Sequence, residues 1–66
     1  MKFELNGVPE ESESGLSVQE LLARFGLAGR RVAVAINTRV VPRSRFGEVR
    51  IADGDRVEVI QAVGGG

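Results

Sequence analysis

The chain has 66 residues and a mass of 7.1 kDa, with nine basic and nine acidic side chains and no net charge. It contains no Cys and no His, which excludes disulfides, thiolate or imidazole metal sites, Cys nucleophiles and imidazole bases. With no Trp or Tyr and three Phe, it has almost nothing on which nucleic-acid bases could stack.

Lys2 to Asn6 alternates polar and apolar residues, the period of a half-buried strand, and Asn6-Gly7 is a strong two-residue hairpin signal. The return strand is expected over Val8 to Glu13. Pro9 and the Glu10-Glu11 pair suit a sheet edge there, because Pro cannot donate to a ladder and charges deter stray pairing. Ser17-Val18-Gln19-Glu20 has the spacing of a capping box, with the Ser17 hydroxyl accepting from the Glu20 amide and the Glu20 carboxylate from the Ser17 amide. Behind it Val18, Leu21, Leu22 and Phe25 recur at helical spacing, and Leu16 is placed to staple onto Leu21. Gly26 is the natural left-handed stop, so a helix of about two and a half turns is predicted.

Arg31 to Asn37 alternates again, with Val32, Val34 and Ile36 on one face and Ala33 and Ala35 on the other. Asn37-Thr38 marks a turn into a short strand at Val40-Val41 that Pro42 stops. A β-branched Thr resists positive φ, so this turn is expected to be looser than a two-residue hairpin, or of another type. Arg43 to Gly47 reads as a turn or short helical loop with Phe46 tucked inward, followed by a brief apolar stretch at Val49 and Ile51. Asp53-Gly54-Asp55 is a turn whose carboxylates serve local amides rather than a metal. Arg56 to Val63 is the last strand, with Val57 and Val59 inward and Glu58, Ile60 and Ala62 outward.

A hairpin, a helix, two strands, a loop and a final strand make an α+β architecture: a mixed four- to five-stranded sheet with one main helix packed on one face. Residues 1–63 are expected to form one domain and 64–66 a flexible C-terminal glycine tail. Charge is uneven along it. Residues 1–20 carry one Lys and five Glu, residues 21–50 seven Arg and one Glu, and residues 51–66 one Arg and three acids. Such a pattern suits a mixed solvated surface or a basic face for an acidic partner. No apolar run approaches the roughly 20 residues of a membrane span, and no signal peptide precedes the first strand, so a cytoplasmic protein without a membrane partner is expected.

Gly64-Gly65-Gly66 is the unusual feature. Without a Cβ, such a segment can lie extended in a narrow channel and deliver a terminal carboxylate to another protein's active site. Three residues reach about 10 Å. Ordering them costs roughly 3–6 kcal/mol, which docking of the folded part must offset. Ala33, Ala35, Ile60 and Ala62, pointing away from the core, are the candidate docking patch. A carboxylate is a poor electrophile until activated, most economically as an acyl-adenylate made from ATP. No Gly here stands in a GxxxxGK[ST] spacing, so that chemistry belongs to a partner.

The single-helix order, Asp53-Gly54-Asp55-Arg56-Val57-Glu58 entering the last strand, and the terminal Gly65-Gly66 resemble the ubiquitin-like (β-grasp) sulfur carriers. Val41-Pro42-Arg43-Ser44 following Asn37, with Ala62-Val63-Gly64-Gly65-Gly66 at the end, resembles specifically the ThiS-type carriers of thiamine biosynthesis. The resemblance covers essentially the whole chain. It implies that an E1-like adenylyltransferase activates the Gly66 carboxylate with Mg-ATP. Sulfur from a cysteine desulfurase then displaces AMP to leave a thiocarboxylate, which thiazole synthase uses to build the thiazole ring. Gly66 is then the working site, with Gly65 and Gly64 giving access. The chain is a protein cosubstrate that binds no cofactor or metal and has no catalytic residue of its own. Carriers of this type often have Asn-Gly where this chain has Asn37-Thr38. A carrier for molybdopterin or cysteine synthesis, or a ubiquitin-like protein modifier, shares the same features. A nucleic-acid-binding module would draw on the seven-Arg segment but leaves the glycines unexplained.

Overall fold

A computed structural model describes residues 1–13 and 15–61. Among them the chain forms β1 (Lys2–Leu5), β2 (Val8–Glu11), α1 (Val18–Arg24), β3 (Val32–Ile36), β4 (Arg39–Val41) and β5 (Arg56–Gln61), with a one-turn 3-10 helix at Arg43–Arg45. The strands join in one five-stranded sheet of order β2-β1-β5-β3-β4. β1 and β5 run parallel, while β1–β2, β3–β4 and β3–β5 are antiparallel, so the sheet is mixed and its last strand is its middle one.

The alternation sorts side chains as the sequence predicts. Phe3, Leu5, Val32, Val34, Val41, Val57 and Val59 are buried on one face of the sheet. Val18, Leu21 and Leu22 of α1 meet them, and Ile51 closes the layer from the loop before β5. Val49 and Ile51 form no ladder in the sheet. They run beside the start of α1, where the Val18 amide donates to Val49 O at 2.9 Å and the Ile51 amide to Leu16 O at 2.7 Å.

The capping box is present as read: the Glu20 amide donates to Ser17 Oγ at 3.0 Å, and the Ser17 amide to Glu20 Oε1 at 2.9 Å. Hydrogen bonds from the Ser17 backbone and then its hydroxyl hold the Glu20 carboxyl below its ordinary pKa, with Arg50 adding a smaller pull.

Three features differ from the sequence reading. First, α1 has seven residues rather than two and a half turns, and Phe25 leaves the apolar stripe to become its C-cap, 38% exposed. Gly26, with φ of 73°, is the stop the sequence placed there, and the residue before a left-handed stop is the cap rather than part of the last turn. The Gly26 amide donates to Ala23 O at 3.2 Å and that of Leu27 to Leu22 O at 2.7 Å, a Schellman ending that turns Leu27 onto the core in place of Phe25. Second, β2 stops at Glu11 instead of Glu13, because β1 begins at Lys2 and offers no longer partner. Met1 extends the pairing by one residue: the Ser12 amide donates to Met1 O at 2.9 Å and the terminal ammonium to Ser12 O at 2.6 Å.

Third, the Asn37-Thr38 turn is not loose. Ile36 pairs with Arg39 across a two-residue turn, with Asn37 at φ 51° and Thr38 at φ 71°, both in the left-handed region that a type I′ hairpin demands. Thr38 tolerates this because Asn37 is tied to β5. The Asn37 amide donates to Arg56 O at 2.8 Å, the Arg56 amide to Asn37 Oδ1 at 3.0 Å, and Asn37 Nδ2 to Asp55 Oδ1 at 3.0 Å. β5 is described as far as Gln61, and Ala62 and Val63, predicted as its end, lie outside the described residues.

Candidate functional site

The face of the sheet opposite α1 carries the candidate docking residues. Cross-strand partners share a face, and the register places Ala33 opposite Ile60 and Ala35 opposite both Glu58 and Val40. Ala33 is exposed and Ala35 half-buried, while Ile60 keeps 65% of its surface in contact with solvent. Three of the four predicted residues are therefore brought together; Ala62 lies outside the described residues, as do Gly64, Gly65 and Gly66.

Val40 joins them, 75% exposed, and was not singled out in the sequence. Its signal was available: Val41 is buried, so alternation puts Val40 on the opposite face. The open face thus divides in two. Ile60, Ala33, Ala35 and Val40 make an apolar strip that runs from near the end of β5 to the β4 edge, while Lys2, Glu4, Arg56 and Glu58 occupy the charged remainder. A β-branched residue left this open on a central strand costs free energy in water and gains it under a partner.

Glu10 and Glu11 lie on the β2 edge and Arg39 on the β4 edge, at opposite ends of the sheet. The seven arginines of residues 21–50 do not form one patch, since they spread over α1, the loop behind it, β4 and the 3-10 turn. Two of them meet the chain's own carboxylates, Arg45 with Glu48 at 3.3 Å and Arg50 with Glu20 at 4.0 Å, in exposed pairs of small energetic weight. This is a mixed solvated surface rather than a track for a polyanion.

Asp55 serves a local amide of the turn as read, but Asp53 does not: its carboxylate ties the turn to the start of β1, 51 positions away. Asp53 Oδ1 accepts from the Lys2 amide at 2.7 Å, and Asp55 Oδ2 from the Ala52 amide at 2.8 Å. Arg43 and Ser44 are exposed on the 3-10 turn. Among the described residues no helix is long and apolar enough to cross a membrane.

Comparison with known proteins gives this geometry a context. A model of the ThiS family matches residues 3–66. The sulfur carrier protein ThiS of Bacillus subtilis strain 168 is 35% identical, over 97% of this chain and 98% of that protein. A thiazole synthase of Magnetococcus marinus is 41% identical over all of this chain, but the chain spans 20% of that protein's length, as it does of a second thiazole synthase it matches. Among solved structures, the crystal structure of the thiamine biosynthesis protein (ThiS) from Geobacter metallireducens superposes with a TM-score of 0.85 at 35% identity, covering 100% of both chains. The architecture is accordingly a β-grasp.

Proposed function

The chain belongs to the ThiS family, and on that premise we propose that it is a sulfur carrier in thiamine biosynthesis, loaded at the carboxylate of Gly66. The observation that carries the reading is the family match running through residue 66, so that the glycine run falls inside the resemblance.

An E1-like adenylyltransferase attaches AMP from Mg-ATP to the Gly66 carboxylate and releases pyrophosphate. A cysteine desulfurase passes its sulfur on as a persulfide, whose terminal sulfur displaces AMP to give an acyl disulfide. A second thiol then reduces the S–S bond, becomes oxidised to a disulfide itself, and leaves a thiocarboxylate. Thiazole synthase takes that sulfur into the ring, and the carboxylate is restored. The 66-residue likeness within thiazole synthases favours this acceptor over molybdopterin or cysteine synthesis, because there a carrier-like segment and the acceptor enzyme share one polypeptide. ATP and magnesium belong to the activating partner, and the chain contributes recognition and a substrate carboxylate but no catalytic group.

The open face supplies the recognition. Ala33, Ala35, Ile60 and Val40 offer an apolar strip across β5, β3 and β4, so a partner that covers them also lies near Gln61, the last described residue of β5. Covering that strip offsets the roughly 3–6 kcal/mol of ordering three glycines.

Intact mass spectrometry tests the reading after incubation with the activating enzyme, ATP and sulfide. A mass gain of one oxygen-to-sulfur exchange, lost when Gly66 is deleted, is expected. No gain with an enzyme shown to be active on a known carrier refutes it.

A further inference from the structure

Asn6 does more than turn the first hairpin. β1 ends at Leu5, whose partner on β5 is Val57, while β5 runs on to Gln61. Past Val57 the parallel ladder has lost its neighbouring strand, because the chain turns back at Asn6 and Gly7 with φ of 51° and 81°. The Asn6 side chain takes the missing strand's place. Its backbone amide donates to Val57 O at 2.8 Å. Its carboxamide then pairs with both polar groups of Val59, the Val59 amide donating to Oδ1 at 2.8 Å and Nδ2 donating to Val59 O at 3.1 Å. A primary amide has one donor and one acceptor side by side, the arrangement a neighbouring peptide would present. Val59 stands two residues before the last described residue of β5; among the described residues this clamp is the last support on the β1 side, while β3 pairs with β5 as far as Gln61.

We propose that Asn6 is a positioning residue for the carrier's tail: by holding the backbone of Val59 it sets where and in what direction β5 leaves the sheet, and so pre-orients the residues that enter the activating partner. The proposal rests on the sulfur-carrier reading. A strand end already fixed in the free carrier does not have to be ordered during docking, so losing the clamp weakens apparent affinity while the bound complex still reacts at its own rate.

The molecule contains its own control. Asn37 holds the same position in the same kind of two-residue turn and clamps the same strand, but at its beginning, through Arg56. Both asparagines have positive φ, so Asn6→Gly and Asn37→Gly keep each folded backbone comfortable while removing the side chain and its carboxamide, and any cost of added chain freedom is common to both. The two variants are compared for KM and kcat in ATP-dependent activation and for amide hydrogen exchange at Val59 and Arg56.

Asn6→Gly is expected to raise KM about tenfold, leave kcat within about twofold, and speed exchange at Val59. Asn37→Gly speeds exchange at Arg56 and leaves KM within about twofold of wild type. Asn6→Asp, which keeps the acceptor for the Val59 amide, falls between wild type and glycine and serves if the glycine variant does not fold. Equal rises in KM for the two glycine variants overturn the proposal, because the effect then follows general stability and not the exit of β5. If wild type itself is not activated by a competent enzyme, the carrier reading fails instead. The clamp is then decided by exchange alone, and unchanged exchange at Val59 in Asn6→Gly overturns it.

Discussion

The two faces of the sheet are made by the same strands with the same alternation, yet they serve opposite ends. On the helix side Val34 and Val57 are each 1% exposed, packed under α1. On the other side Ile60 and Val40 stand 65% and 75% exposed, with no element among the described residues covering them. The closed face spends its apolar surface on folding, and a chain of 66 residues has little of it to spare. Apolar surface left open in so small a protein is therefore available for association. The difference teaches that stability and recognition are divided between faces, so that substitutions should separate them cleanly.

The sharpest separation is expected beyond β5. Deleting Gly66 abolishes activation completely, while the melting temperature stays within about 2 °C of wild type. A large fall in the melting temperature would contradict the carrier reading, since it would mean the tail supports the fold. On the closed face, Leu21→Ala should cost about 2–5 kcal/mol in urea unfolding, because Leu21 is 1% exposed and its removal leaves a cavity. The folded fraction of that variant should still be activated normally.

Ile60→Glu reverses the pattern on the open face. It should change unfolding free energy by under about 1 kcal/mol, yet weaken binding to the activating enzyme tenfold or more in calorimetric titration. A variant that loses stability and keeps affinity would reassign the open face to folding.

Smaller effects sharpen the closed side. The Glu20 carboxyl titrates below its ordinary pKa when folded, so the unfolded chain takes up that proton first as pH falls. Its contribution is complete above about pH 4.3 and is lost as pH drops through the lowered folded value. Melting curves at acid pH should therefore show wild type losing stability that Glu20→Gln, which has no proton to gain, does not lose. The smallest change expected is at the second hairpin, where Thr38→Gly should raise stability by about 0.5–1 kcal/mol by relieving a β-branched residue at positive φ.

Much of this was legible in the chain, and the legible part has a common character. The Ser17–Glu20 box, the Asn6-Gly7 turn, the Gly26 stop and the inward valines of β3 and β5 are settled between residues a few positions apart. The outward set Ala33, Ala35 and Ile60 followed from the same period of two, which is why most of the candidate face could be read before any strand was paired. Alternation assigns a residue to a face but does not say which strands are neighbours.

By itself, then, the sequence determined the elements, their buried sides and the glycine run on which the proposed function rests. Tertiary structure alone decided that β5 is the central strand, that Val40 extends the strip begun by Ile60, and that Phe25 yields its core place to Leu27. It also decided that Thr38 accepts a left-handed backbone and that Asn6 grips Val59 across 53 positions of chain. The physical reason is distance along the chain. A cap or a turn is a contest among neighbouring peptide groups, whereas a clamp between residues 53 apart exists only after the sheet has brought its strands together.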